Sequence, residues 1–301
     1  MPQLLLFAVL CLGFLNVQAE ATITPSEVYG QVLLIEKETE LVKHHFNYAK
    51  QPIAVAEVNA NIMPRHVWQK CYMLQKKLVA FRRKHQLDAL TPVEIEPVKD
   101  MDPRYTWAQT QRILVEIRII RMLLGISGEA GAALPVEGKV PLDVFNKLSQ
   151  IEAEWDALTG ADFDASYAFG QAMRLNEEVD VILRHLGLFD DAIPPEKNVT
   201  AIPANSLTQI FLVLEQLQRL KKLAGLDIAD LSAFRKTEQI TAYDVFNMIC
   251  LTLAELQPLK YQIGLRHVVT VPANHYENKT PADVLQLLGY VTNKLVLIQH
   301  L

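Results

Sequence analysis

One feature of this 301-residue chain limits its possible folds more than any other, namely a helix start that recurs eight times. Six of the starts are a proline followed within four positions by apolar or aromatic residues, and two keep the same frame without the proline. The first residues of the eight units are Pro25, Pro64, Pro103, Pro141, Phe163, Pro203, Ala242 and Pro281. Self-similarity of this kind is typical of repeat architectures, in which each unit buries its apolar face against its neighbours.

The spacing of the units divides the chain into two halves. Most starts follow one another at a period of about 39 residues, whereas about 22 residues separate Pro141 from Phe163. Adding 138 to 140 to the first four start positions gives the last four. We therefore predict that a four-unit block was duplicated, with a leader at residues 1–19, a first block at residues 20–160 and a second at residues 161–301.

Each unit carries the local signals of one helix. Proline suits the first helical position, where its missing N–H would have no partner in any case. Thr24 and Glu27 have the spacing of a capping box. Glycines such as Gly125 and Gly264 stand about 22 residues after a start, where a Schellman-type C-cap places a glycine. A helix of this length spans about 33 Å.

Within each unit, apolar residues recur 3, 7, 10, 14 and 17 positions after the start, which is the alternating spacing of a bundle seam. In the third unit these residues are Thr106, Thr110, Ile113, Ile117 and Ile120. The sequence therefore predicts an all-α fold. It consists of eight helices of about 22 residues, from a helix-plus-extended-linker repeat of about 39 residues, in two pseudo-symmetric four-helix blocks.

The linkers between helices are unusually long for a bundle, whose loops normally have about 2 to 8 residues. A linker of about 15 residues reaches roughly 50 Å, so it can run back along a helix or fold over the bundle end. Parallel and antiparallel neighbours are therefore both open. Between Leu158 and Phe163 the joint is too short for any return, and here we predict an antiparallel hairpin of the fourth and fifth helices and an approximate two-fold axis between the blocks.

Residues 1–19 contain no charged side chain and include an apolar run over residues 4–15. With the small residues Ala19 and Ala21 behind it, this run predicts a cleavable signal peptide and a periplasmic or secreted protein. An uncleaved N-terminal anchor is the alternative, because the usual positive charge is missing. Cys71 and Cys250 fall in helical apolar patterns, which favours buried free thiols over a bridge between them.

The sequence contains none of the common catalytic or cofactor signatures, such as a Gly-rich phosphate loop, a nucleophile elbow or a zinc-binding helix. We expect no enzymatic activity, no cofactor and no metal. The neighbours His44 and His45 would point about 100° apart on a helix and could not easily share a metal. A site built from His267, His275 and Glu277 is the alternative. The formal net charge of −5 leaves no basic field for nucleic acid.

Basic residues cluster towards the ends of several helices, at Lys76-Lys77, Arg82-Arg83-Lys84-His85 and Lys221-Lys222. Cations at a helix C-terminus complement the helix dipole. We therefore expect these side chains to lie on a solvated helix face.

Aromatic residues occupy the fifth position of six units, in a chain that is only 8% aromatic. They are Tyr29, Trp68, Trp107, Phe145, Tyr167 and Phe246. These rings either close the bundle ends against the linkers or bind a ligand or partner, since tyrosine and tryptophan are enriched at recognition surfaces.

Stacked helical units commonly present a surface to a protein partner. We therefore expect an exported, non-catalytic binding or scaffold protein that engages a protein or peptide, with its oligomeric state open. The alternative is a sensor or carrier that holds a small molecule between helices. Exposed aromatic residues in a groove would favour a protein partner, whereas an enclosed pocket lined by the aromatic position would favour a small molecule.

Overall fold

The computed structural model describes residues 22–48, 55, 57–88, 96–160, 163–268 and 276–298. Its described residues form eight α-helices and one short 3₁₀-helix at Ser232–Phe234, which confirms the predicted all-α fold. The helices are α1 Pro25–His45, α2 Pro64–Lys84, α3 Pro103–Leu123, α4 Pro141–Thr159, α5 Ala165–His185, α6 Pro203–Leu223, α7 Ala242–Gln262 and α8 Pro281–Ile298. We call α1–α4 block one and α5–α8 block two.

The helix ends follow the predicted signals closely. Thr24 and Glu27 form the expected capping box at the start of α1. Gly125, Gly187, Gly225 and Gly264 all have positive φ just after a helix. After α3, the Gly125 N–H donates to Met122 O and the Ile126 N–H donates to Arg121 O, which is the Schellman pattern. These ends are therefore determined by local sequence.

The predicted frame of the fifth unit was wrong by two residues. Helix α5 begins at Ala165 with Asp164 as its N-cap, so Phe163 precedes the helix and Tyr167 is only its third residue. The residue at the repeated aromatic position is therefore Phe169. A pair of contacts supports this register, because the Lys139 ammonium lies 4.6 Å from the Tyr29 ring centroid and the Lys279 ammonium lies 4.5 Å from that of Phe169.

All four helices of each block run in the same direction. The first residues of α1–α4 surround one small cavity, together with the residues three positions further on. Block two has the same arrangement around Ala165, Pro203, Ala242 and Pro281. Because all four N-termini meet at one end, neighbouring helices are parallel, and this decides between the two arrangements that the linker lengths allow.

Within block one, α1 and α2 each pack against α3 and α4, so the helices follow one another around the bundle in the order α1, α3, α2, α4. Block two has the corresponding order α5, α7, α6, α8. The seam positions form layers with one residue from each helix. The layer ten residues after the start consists of Ile35, Leu74, Ile113 and Ile151, all fully or almost fully buried.

The linker between α3 and α4 shows how a parallel bundle is connected. This segment runs back along α1, with Gly128 beside the Leu41 side chain and the Val136 N–H donating to Ser26 O. Where it crosses Gly30, a Cβ on that glycine would lie 2.1 Å from the carbonyl oxygen of Leu134. Glycine at position 30 is therefore required for the close approach of linker and helix.

Two buried ion pairs recur at equivalent places in the two blocks. Arg82 with Glu116 joins α2 to α3, and Lys221 with Glu255 joins α6 to α7 at positions 139 residues later. Arg121 with Glu38 joins α1 to α3, as Lys260 with Glu178 joins α5 to α7. These pairs and the matching packing order are consistent with two pseudo-symmetric blocks. The domain bounds stay a prediction.

The same contacts correct the expectation for the basic clusters. Lys77, Arg82 and Lys221 are buried, while Arg83, Lys84 and Lys222 are exposed. A buried ammonium or guanidinium needs a carboxylate partner, because leaving water costs several kcal/mol per ion. The buried members of these clusters therefore serve packing between helices, and only their neighbours form a solvated face.

The blocks meet chiefly where α2 crosses α7 in the opposite direction. Near the start of α2, Arg65 Nε donates to Glu255 Oε1 over 2.6 Å, while Lys70 Nζ, later in the helix, donates to Tyr243 OH near the start of α7. The two crossing helices occupy different places in the repeat. The approximate two-fold axis between the blocks stays a prediction.

His66 belongs to this contact and is completely buried. Its Nδ1 accepts a hydrogen bond from the Met63 N–H over 2.9 Å, so the ring proton lies on Nε2, which is 2.8 Å from Glu255 Oε1. Burial lowers the pKa of His66 and outweighs the pull of Glu255. For Glu255 burial opposes ionisation, but the hydrogen bond from His66 and the charges of Arg65 and Lys221 lower its pKa.

The predicted hairpin of α4 and α5 was wrong as a packed pair. These two helices are not among the packed helix pairs of the described residues. The short joint after Thr159 instead connects the C-terminal end of block one to the N-terminal end of block two. Since α2 and α7 cross in opposite directions, the helices of block two run opposite to those of block one. Helices α4 and α5 nevertheless do not pack along each other.

Four other expectations concern the signal peptide, His275, membrane-spanning helices and the cysteines. The predicted signal peptide at residues 1–19 lies outside the described residues, as does His275. Among the helices in the described ranges, none has the length and apolar character needed to cross a membrane. Cys71 and Cys250 are both free and buried, and burial raises the pKa of both thiols.

Candidate ligand-binding cleft between the blocks

A cleft of about 680 Å³ lies between the two blocks. Its walls are α4 of block one, α7 of block two, one residue of α2 and parts of two linkers. The lining residues are Val55, Glu57, Val58, Asn59, Lys70, Phe145, Ser149, Ala153, Asp156, Ala233, Phe234, Lys236, Tyr243, Asp244, Asn247 and Met248. Apolar and aromatic surface is thus combined with a small number of polar groups.

The contribution of α4 follows from helical periodicity. Phe145, Ser149, Ala153 and Asp156 are spaced by four, four and three residues, so they lie on one face of the helix. On the opposite wall, Tyr243, Asp244, Asn247 and Met248 form a corresponding patch on the first two turns of α7. The cleft therefore has two helical walls whose side chains are placed by regular backbone.

The linker walls are attached to these helices by specific contacts. The side chain of Asn146 on α4 accepts a hydrogen bond from the Val58 N–H and donates one to the Val58 carbonyl, each over 3.1 Å. From the other linker, the Phe234 ring packs edge-on against Phe145 with ring centroids 5.8 Å apart. Both linkers are thereby attached to α4 at the rim of the cleft.

Lys70 is the charged group at the base of the cleft, and it is buried. Its ammonium lies 2.5 Å from Glu152 Oε2 and donates to Tyr243 OH over 2.9 Å. The Tyr243 hydroxyl in turn donates to Glu152 Oε2 over 2.7 Å. Burial and the neighbouring Glu152 carboxylate raise the pKa of Tyr243 well above its ordinary value. This Tyr243 therefore stays a neutral hydrogen-bond donor.

Asp156 stands at the edge of the same group, with its side chain 36% exposed. Burial raises the pKa of its carboxyl to about 6, although Lys77 acts in the opposite direction. The ammonium of Lys77 pairs with Asp156 and lies 3.5 Å from the centroid of the Phe163 ring. Burial lowers the pKa of Lys77 in spite of its carboxylate neighbours. Burial thus shifts the pKa of both groups towards the neutral form.

Two further polar side chains on α7, those of Asp244 and Asn247, differ in whether their oxygen atoms have hydrogen-bond partners. Asp244 caps its own helix through Thr241 and pairs with Lys236 over 2.6 Å. Asn247 Oδ1, by contrast, is buried and has no hydrogen-bond partner among the described residues. A buried carbonyl oxygen without a donor costs about 1 to 3 kcal/mol, so this oxygen is a local cost to the fold.

The six predicted aromatic binding residues do not gather at one place. Phe145 lines the cleft. Tyr167 and Phe246 both contact Phe163, at ring-centroid distances of 4.3 and 4.9 Å. Trp68 is buried and stacks on Tyr72. Tyr29 and Trp107 are partly buried at the edge of the core. Their role in binding stays a prediction.

Sequence reasoning missed the polar residues of the cleft. Lys70 and Asp156 have uncharged counterparts in the other block, Gln209 and Val296, and this asymmetry between aligned repeat positions is a signal that the sequence contains. Tyr243 and Asn247 have no comparable local signature.

Neither a metal nor a known relative assigns a role to the cleft. Within the part of the chain that the structure describes, no group of three or more histidine, cysteine or acidic side chains is placed to hold a metal ion. No family model matches the sequence, and no curated protein or solved structure is similar to it.

Proposed function

We propose that this chain is an exported, non-catalytic binding protein that holds a small organic molecule in the cleft between its two blocks. The cleft itself is the observation that supports this function. Its volume of about 680 Å³ lies within the range of small-molecule sites, roughly 300 to 1,000 Å³. Such sites combine apolar walls with a few convergent polar groups, which is the composition found here.

The surroundings of the cleft suit binding more than catalysis. The charged groups at its base, Lys70 and Glu152, are paired with each other, and Tyr243 is held as a neutral donor. Lys70 and Tyr243, both held by Glu152 Oε2, can orient a ligand without transferring a proton. The helical walls keep the site formed before a ligand arrives, which limits the entropy lost on binding.

Filling the cleft tests this function. Ala153→Trp places an indole against the α4 wall, whereas Asn293→Trp puts the same side chain at the equivalent, exposed position of α8. We expect compounds found by ligand-observed NMR screening of the wild type to lose at least tenfold in affinity with Ala153→Trp and to keep it with Asn293→Trp. Finding no bound compound, or equal affinity in both variants, would overturn the proposal.

Export is part of the proposal and has its own measurement. The apolar run of residues 4–15 supports a signal peptide. We expect the exported protein to begin close to Glu20, as determined by intact mass and N-terminal peptide mapping. A product that retains residues 1–19 would contradict cleavage.

A protein or peptide partner is the second candidate function, and one surface favours it. Phe189, Ile193 and Val199 lie on the linker before α6 and are 85%, 78% and 80% exposed. If these side chains form a contiguous apolar patch, that patch would mark an interaction site. Affinity capture with the wild type and a Phe189→Ser, Ile193→Ser double variant would test it. A partner retained equally by both proteins would exclude this surface.

A further inference from the structure

The charged side chains that line the cleft are matched by neighbours of opposite charge. Each lining lysine has a carboxylate partner, and two of the three lining carboxylates have an ammonium partner. These ion pairs are Lys70 with Glu152, Lys236 with Asp244 and Lys77 with Asp156. The third lining carboxylate, Glu57, is exposed to water. The described lining therefore offers a ligand no buried charge that lacks a partner.

This pairing disfavours a charged ligand of either sign. A buried ion is tolerated only where a counterion is supplied. An ammonium ligand would have to compete with Lys70 for Glu152, and a carboxylate ligand would have to compete with Glu152 for Lys70. The side chain of Lys236 is 55% exposed, so water already solvates its ammonium and an anion would gain little there.

Apart from these groups, the accessible lining is mainly apolar. Four of its side chains come from the two linkers and one comes from α4, and each keeps part of its surface exposed. They are Val55, Val58, Ala153, Ala233 and Phe234. Covering apolar surface is favourable in proportion to the area removed from water. The gain on binding therefore comes from an apolar body that covers these side chains.

One lining side chain can also form a hydrogen bond between uncharged groups. Ser149 Oγ donates within α4 to Phe145 O over 3.0 Å, and a hydroxyl oxygen that donates its proton can still accept. Ser149 is only partly buried and lines the cleft beside Phe145, one turn before Ala153. A ligand hydroxyl can donate to this oxygen without disturbing an ion pair.

We propose that the molecule held in this cleft is uncharged and carries a hydroxyl group on a compact apolar or aromatic body. The inference rests on the proposed small-molecule function and names its ligand class. The body packs against Ala153 on α4 and against the apolar side chains of the two linkers. The hydroxyl group donates to Ser149 Oγ. The three ion pairs of the lining stay intact when this molecule binds.

Three probes with the same body but different charge test the ligand class. We would titrate the wild type with 2-(1-naphthyl)ethanol, 2-(1-naphthyl)ethylamine and 3-(1-naphthyl)propionate by calorimetry at pH 7.5. The alcohol is expected to bind at least tenfold more tightly than the amine or the carboxylate, and to lose this affinity in Ala153→Trp but not in Asn293→Trp. Equal or tighter binding of either charged probe, or no binding of the alcohol, would overturn the inference.

A substitution that breaks one ion pair tests the reason for this preference. Lys70→Met leaves the buried Glu152 carboxylate without its ammonium, so the amine probe should bind at least fivefold more tightly than it does to the wild type. Gln209→Met is the matched control, because Gln209 is the repeat counterpart of Lys70 in block two and does not line the cleft. It should leave the affinity for all three probes unchanged.

Far-ultraviolet circular dichroism and the unfolding midpoint show whether Lys70→Met is folded. If it is not, Asp156→Ala gives the same test with the opposite sign, since it leaves the ammonium of Lys77 unpaired and should tighten the carboxylate probe at least fivefold. A folded variant whose preference among the three probes equals that of the wild type would contradict the role given to charge pairing.

The outcomes separate this inference from the proposed function. If the alcohol fails but the screen yields charged compounds that are lost in Ala153→Trp, the cleft is a small-molecule site with a different preference. In that case the ligand class is wrong and the function stands. If no compound of any charge depends on the cleft, both proposals fail.

Discussion

Helix α2 and its repeat counterpart α6 occupy the same place in their blocks, but only α2 lies at the junction between the blocks. The difference is visible in their charges. Positions 65, 66, 70 and 77 of α2 are Arg, His, Lys and Lys, and the positions 139 residues later in α6 are Ala204, Asn205, Gln209 and Gln216. Seam positions remain apolar or small in both helices. The two helices thus have the same apolar face towards the core of their own block. They differ on the face that α2 buries against block two.

This contrast shows where the specificity of the block-to-block contact lies. Ion pairs inside a block recur in both halves, as with Arg82–Glu116 and Lys221–Glu255. At the junction, Glu255 additionally receives Arg65 and His66 from block one. A buried charge is tolerated only where its partners are supplied. The non-equivalent charges therefore select this docking of the blocks over others that the repeat would allow.

The largest expected effect comes from breaking that junction. Glu255→Gln leaves Lys221 buried without its carboxylate and leaves Arg65 with Asp100 alone, and we expect a loss of about 3 to 5 kcal/mol in the free energy of unfolding. Urea denaturation followed by circular dichroism measures the loss.

Glu116→Gln is the matched control for this experiment, because Glu116 is the repeat equivalent of Glu255 and lies away from the junction. Its loss should be smaller, about 1.5 kcal/mol, because the contact between Arg82 and Glu116 is 3.4 Å long and Arg82 keeps its hydrogen bond to Asp88 O. Equal losses for the two variants would show that the junction adds nothing to the ion pair shared by both blocks.

A smaller effect is expected from the linkers that cross helices in both blocks. Gly30→Ala would bring a Cβ to 2.1 Å from a backbone oxygen, whereas at Gly289 the nearest atom is Pro195 Cγ at 2.7 Å. We expect Gly30→Ala to destabilise by about 2 to 3 kcal/mol and Gly289→Ala by about 1 kcal/mol. Thermal unfolding gives the comparison. If both variants were more stable, as helical Gly→Ala changes usually are, the linkers would not lie against these helices.

The smallest effect concerns Asp156, whose counterpart in block two is Val296. Burial raises its pKa to about 6, so between about pH 4 and 6 the folded protein binds a proton that the unfolded chain has released. The associated stability is present below about pH 4 and is lost as the pH rises through 6. Because the carboxyl is partly exposed, we expect a change below about 1 kcal/mol.

Stability measured from pH 4 to 7 in the wild type and in Asp156→Asn tests this dependence. The variant should lack the loss of stability near pH 6, while Val296→Asn should keep it. A carboxyl signal of Asp156 that titrates near pH 4 in a ¹³C NMR experiment would contradict the raised pKa.

Much of the fold could be predicted because it is encoded locally. Capping boxes, prolines at first helical positions and glycines after the last turn act within a few residues, so the number and ends of the helices are readable directly. The start of the fifth unit was predicted two residues too early because this unit lacks the initial proline. Tyr167 also stands four residues after Phe163, which is the spacing of the aromatic position in other units. Its aromatic position is Phe169, as the start of α5 at Ala165 and the contact with Lys279 show.

The candidate cleft was less predictable than the fold. Of the six aromatic residues singled out from the repeat, only Phe145 lines it. The other five have different neighbours. Trp68, for example, lies in the core and stacks on Tyr72. The polar lining comes from α2, α4, α7 and two linkers, and no sequence spacing relates those segments to one another.

The sequence by itself determined an all-α chain of eight helices with a bundle seam in four-plus-four units, because these properties depend on contacts within one helix or on the period of its apolar residues. The tertiary structure decided the rest. Linkers that reach roughly 50 Å allow a helix of about 33 Å to be followed by a parallel or an antiparallel neighbour, so only packing could select the parallel bundles. Packing also selected the crossing of α2 with α7, because its buried charges have their partners on segments far apart in the chain, and that crossing creates the cleft.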